Sequence, residues 1–61
     1  MDVNTAGEAE LLRLPGIGPA RARAIVAYRQ ARGPFASVEE LVRVPGIGPA
    51  TLAGLAGRVR V

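Results

Sequence analysis

The hexapeptide PGIGPA spans Pro15–Ala20 and returns at Pro45–Ala50, thirty residues later. A duplication at a fixed offset constrains a fold more than composition does. Aligned at that offset, Leu11-Leu12-Arg13-Leu14 matches Leu41-Val42-Arg43-Val44 just ahead of the two identical runs. The whole chain has 61 residues, and a chain that short buries only about 60% of its unfolded surface. The expectation is therefore one domain over residues 1–61, built from two like units around a thin shared core. The first unit covers about 8–32 and the second about 38–57.

Each unit reads as helix, turn, helix. Ser37-Val38-Glu39-Glu40 spells a capping box, with Ser37 as N-cap and Glu40 reaching back from the third helical position. Thr5-Ala6-Gly7-Glu8 offers the same pattern, although alignment with Ser37 puts the cap at Gly7 instead. Either start gives a short helix ending near Arg13, with a twin ending near Arg43. Pro19 and Pro49 suit the first position of the helices that follow, where a missing N–H costs nothing. One runs to about Arg32 and stops at Gly33-Pro34, an αL cap followed by a breaker. The other runs from Pro49 to about Gly57. Phe35 is expected to plug the core between the halves, and Val59-Arg60-Val61 to lie beside Asp2-Val3-Asn4. Arg29 is expected to pair with Glu39 or Glu40. The fold class is all-α, with four to five short helices.

The repeated turn carries the functional signal. Gly16 and Gly18 free the backbone and leave no side chain over the turn's N–H groups. The turn feeds directly into a helix whose first N–H groups have no intrahelical partner and whose dipole end is positive. Together these features favour an anion, and phosphate is the obvious one. Ile17 is expected to point inward and hold the hairpin. A dinucleotide fingerprint would need a third glycine three residues after the second, in a strand-to-helix turn; Arg21 and Thr51 stand there. A P-loop would need a lysine, and all eight basic residues are arginine.

"LPGIGPARARAI" resembles a helix-hairpin-helix motif, and "VPGIGPATLAGL" resembles its second copy. With "VNTA" before and "AYRQARGPF" between, the stretch Val3–Val61 is similar to the ComEA-type domain of bacterial DNA uptake. Leu52 stands where the first copy has Ala22, as is usual for the second ComEA-type copy. The resemblance implies a compact pseudo-two-fold tandem fold that binds double-stranded DNA without sequence preference. It implies that hairpin N–H groups hold phosphates across the minor groove, at Gly16, Gly18, Ala20 and Arg21 and at Gly46, Gly48, Ala50 and Thr51. Arg21 and Arg23 would supply most of the side-chain charge, because Thr51 and Ala53 occupy their places in the second copy. The resemblance further implies a partner in the DNA-uptake machinery and a periplasmic setting, or one at the outer face of the cytoplasmic membrane. Membrane contact would come only through a segment outside this chain. The alternatives are an accessory module of DNA repair, or a protein-interaction module, since tandem hairpin domains in nuclease subunits pair with one another.

Composition narrows the classes. There is no His and no Cys, which removes the commonest general base, thiolate ligands and disulfides. Without these or lysine, nucleophilic and metal-assisted catalysis lack parts. The expectation is therefore a binding protein, not an enzyme, with neither cofactor nor metal. Glu39 and Glu40 are neighbours on a helix and diverge by about 100°, so they suit the helix dipole better than acid–base work. A net charge of +3 leans weakly toward a polyanion. Arg13 and Arg43 either neutralise a helix C-terminus or flank DNA, and Arg58 and Arg60 either touch phosphate or keep the terminus soluble.

Overall fold

The computed structural model describes residues 1–61, and its burial pattern repeats with the sequence. Leu11, Leu14 and Ile17 are buried in the first unit, and Leu41, Val44 and Ile47 in the second. That spacing is three residues, not the 3.6 of an α-helix. It is the spacing of 3-10 winding, in which residues i and i+3 eclipse. The backbone follows it. α1 covers only Glu8–Leu11, and the chain then turns through i→i−3 bonds from Arg13 to Glu10 and from Leu14 to Leu11, both 3.0 Å. Its counterpart, Val38–Arg43, is 3-10 throughout. The expected pair of α-helices ending near Arg13 and Arg43 is thus one short α-helix and one 3-10 segment.

α2 (Pro19–Arg32) and α3 (Pro49–Leu55) begin at the expected prolines. α3 continues as a 3-10 turn over Ala56–Arg58. α1 packs on α2, and the Val38–Arg43 segment packs on α3. The result is an all-α body of 24 × 21 × 20 Å, whose twelve buried residues form one apolar cluster. Ala22 and Ile25 are the two residues of α2 that are fully covered, and Leu55 is the covered residue of α3.

Of the two starts that the sequence offers for α1, Gly7 is the N-cap, and Glu10 Oε1 accepts its N–H at 3.2 Å. The second cap differs from the sequence reading. Ser37 makes no side-chain cap bond; Glu40 Oε1 instead accepts from the Ala36 N–H at 3.0 Å. Gly33 has φ 86° and ψ −179°, so it is left-handed in φ but not an αL cap. Pro34 disfavours the α region for the residue before it, which drives ψ to the extended value.

The connector and the chain ends are stitched together by groups from the N-terminal segment. Asn4 Nδ2 donates to the Phe35 carbonyl at 3.1 Å, and the Phe35 N–H donates to Asn4 Oδ1 at 2.6 Å. Phe35 is buried as expected and stacks on Tyr28 with centroids 5.3 Å apart. Arg32 covers the Tyr28 ring at 5.4 Å. Arg29 does not reach across to Glu39 or Glu40 as expected; its Nη1 donates to the Val3 carbonyl at 2.9 Å. A buried carbonyl without a partner is expensive, and Val3 is fully covered, so the guanidinium is drawn to it. The tail lies where expected. Val3 N–H donates to the Arg60 carbonyl at 3.0 Å and Arg60 N–H to the Met1 carbonyl at 2.8 Å, a parallel bridge.

The two glycines of each turn have different backbone tasks. Gly16 and Gly46 sit at φ 77° and 91°, where an L side chain costs roughly 1–2 kcal/mol. Gly18 and Gly48 are extended, at φ −93° and −97°, which any residue adopts. Gly16→Ala and Gly46→Ala should therefore each lower the melting midpoint by about 4–8 °C per kcal/mol lost. Gly18→Ala and Gly48→Ala should leave it level or raise it. Thermal circular dichroism of the four variants checks this, and equal losses at all four would contradict the division.

Candidate nucleic-acid interface

The two turns superpose bond for bond. Ile17 N–H donates to Leu14 at 3.1 Å and Ile47 N–H to Val44 at 3.0 Å; Ala22 N–H donates to Gly18 at 2.9 Å and Leu52 N–H to Gly48 at 3.0 Å. These bonds anchor the turn to the core through Ile17 and Ile47, both buried, as the sequence suggested for Ile17. They use none of the outward groups. The N–H groups of Gly16, Gly18, Ala20 and Arg21 have no acceptor within the chain, and neither do those of Gly46, Gly48, Ala50 and Thr51. Unpaired donors persist only where water or a ligand meets them. Gly16, Ala20, Gly46 and Ala50 are exposed, and Gly18, Gly48 and Thr51 half-buried. A Cβ at Gly18 or Gly48 would meet nothing within 4 Å, so the surface over those donors is open.

The turns also lie against each other. A Cβ at Gly46 would stand 3.5 Å from Arg21 Cγ, and one at Gly16 would stand 3.5 Å from Thr51 Cγ2. Arg21 and Thr51 are equivalent positions in the two copies, so each copy's helix start rests on the other copy's turn. Reciprocal contact of this kind is the mark of a two-fold relation. The guanidinium of Arg21 crosses the boundary, with Nε donating to the Gly46 carbonyl at 2.7 Å and Nη1 to the Gly16 carbonyl at 3.3 Å. Arg23 is exposed on α2, one residue beyond the buried Ala22.

The structure thus brings the residues expected around each turn into two adjoining groups. A comparison with known families matches residues 1–60 to the helix-hairpin-helix motif. The chain belongs to the helix-hairpin-helix family. Within it, 39 residues are 44% identical to ComE operon protein 1 of Bacillus subtilis, a stretch that is 64% of this chain and 19% of that protein. This relative bears out the resemblance to a ComEA-type domain. The same length of chain is 51% identical to the endonuclease/exonuclease/phosphatase family domain-containing protein 1 of human and of mouse, covering 7% of each. The chain therefore matches only a small part of these relatives.

Sequence reasoning did not find the Arg21 bonds to Gly46 and Gly16, nor the pairing of Asn4 with Phe35. The bond to Gly46 had no local signal, because Arg21 and Gly46 are 25 residues apart. For the pairing of Asn4, an asparagine is a common turn residue, and nothing marks its distant partner.

Proposed function

We propose that this domain binds double-stranded DNA with little sequence preference, each turn holding the phosphates of one strand. The observation that carries the reading is the pair of adjoining turns, each with four N–H groups lacking acceptors and no side chain over its second glycine. Backbone N–H groups and arginines meet phosphate, which positions a protein on DNA without reading bases. The ComE operon relative supports a DNA receptor role in natural transformation, with the uptake machinery as partner. That role places the domain in the periplasm or at the outer face of the cytoplasmic membrane. No helix here is long and apolar enough to cross a membrane. The domain acts by binding and supplies no catalytic step of its own.

Fluorescence anisotropy on two unrelated duplexes tests the reading. The expected Kd is on the order of 10⁻⁴–10⁻⁶ M at physiological salt for both. If about two to four cations meet phosphates, log K should fall with log salt at a slope of roughly −2 to −4, and Arg23→Ala should flatten it by about one unit. A hundredfold preference between duplexes would overturn the reading. A dimer in gel filtration that leaves DNA unshifted would replace it with the protein-interaction module.

A further inference from the structure

We infer that Arg21 is the positioning residue of this interface: its side chain fastens the two turns together and fixes the span at which they meet the two strands. The inference rests on the proposed DNA binding and adds to it what holds the grip in register. Three observations converge on this side chain. Its Nε donates to Gly46, its Nη1 donates to Gly16, and its Cγ lies against the open face of Gly46. Both acceptors are the left-handed glycines of their turns. Each carbonyl therefore belongs to the part of its turn that only glycine readily forms, and a bond there holds the turn itself.

Bonds from a charged donor are short and strong, and a guanidinium presents its donors in a rigid fork. Nε carries one hydrogen, and it is committed at 2.7 Å. A side chain serving only as a phosphate contact would point its fork outward and leave the turn carbonyls to water. The second copy cannot return the bond. Thr51 presents a methyl group to Gly16 and reaches no further. One clamp, from the first copy to the second, therefore serves both turns.

A span fixed in this way matters because two weak contacts reinforce each other only when both engage one duplex together. Loosening the span lowers the effective concentration of the second turn without touching a single phosphate contact. A charge role and a clamp role for Arg21 are therefore separable by substitution. In Gln the side-chain nitrogen occupies the same place along the chain as Arg Nε, so Arg21→Gln keeps the short donor to Gly46 that crosses between the copies, and loses the charge together with the longer bond to Gly16 within its own copy. In Lys that place is a methylene, so Arg21→Lys keeps the charge and loses the donor. The residue is exposed, and Lys and Gln are both good helix formers, so both variants should fold.

Duplex affinity is measured against salt for the parent and both variants, and extrapolated to 1 M, where the counterion term vanishes. Arg21→Gln should flatten the slope by up to about one unit and keep the 1 M affinity within about threefold. Arg21→Lys should keep the slope and lose about tenfold or more at 1 M. In the free protein, the Gly46 carbonyl carbon shift should move in Arg21→Lys and stay in Arg21→Gln. A Lys variant that binds as the parent does, or whose Gly46 carbonyl shift is unmoved, would overturn the clamp while leaving DNA binding intact. A parent that fails to bind duplex would overturn the functional reading, and the grip with it.

Discussion

Ile25→Ala should leave the domain mostly unfolded at room temperature. Ile25 is fully covered, and the body has only twelve buried residues, all apolar. Truncating a buried Ile to Ala costs about 2–5 kcal/mol, from lost transfer energy and from the cavity that remains. A domain below about 70 residues draws only about 3–5 kcal/mol from its core, and no disulfide is available to add to it. The two ranges overlap, so one substitution can remove the entire margin. Leu55, at the equivalent place in the second copy, is also fully covered and should behave alike. Circular dichroism with urea titration measures the loss. Because Ile25 has no exposed surface, any loss of DNA binding should return when an excluded osmolyte restores the fold. A variant melting within a few degrees of its parent would show that the core collapses around the gap.

The repeat made part of this core legible. Ile17 could be read as inward-facing from the turn, and Ile47 stands at the same offset; both are buried, as are Leu11, Leu14, Leu41 and Val44, which the alignment of the copies paired without assigning them a side. Pro19 and Pro49 marked two helix starts correctly because proline's fixed φ suits that position. The tail beside Asp2–Asn4 and the plug at Phe35 also followed, since so small a core leaves few places for an apolar residue.

Contacts set by distance rather than by local pattern were not legible. Capping boxes describe a residue and its third neighbour, yet Glu40 serves Ala36, because Val38–Arg43 winds as 3-10 and presents a different donor. Arg29 lies 26 residues from Val3, and an ion pair with a nearer glutamate was the local expectation; a covered carbonyl made the stronger claim. At the turns, glycine spacing and helix starts are local facts, so the sequence showed that each turn leads into free helical N–H groups, and the family resemblance supplied the particular residues. The sequence did not show that the turns touch, which depends on how the two copies dock.

Gly48→Val should fold at least as well as the parent and lose about a hundredfold or more in duplex affinity. Folding is protected on two counts. At φ −97° and ψ −179° the backbone is already extended, a region that β-branched residues favour. A Cβ there meets nothing within 4 Å, and replacing glycine also narrows the unfolded ensemble. Binding is exposed for the same reason. The empty space that accepts the isopropyl group is the space through which a phosphate would reach the N–H groups of Gly48, Ala50 and Thr51. Gly18 has the same φ class and the same open surface, so Gly18→Val should lose as much although the second turn is intact. Each turn alone offers a few hydrogen bonds, and tethering makes the second contact intramolecular, which is worth about 10²–10⁴ in affinity. Melting curves come first, to establish that each variant is folded, and anisotropy on one duplex follows. A folded Gly48→Val domain that binds as tightly as its parent would make the second copy a structural support and reduce the grip to one hand.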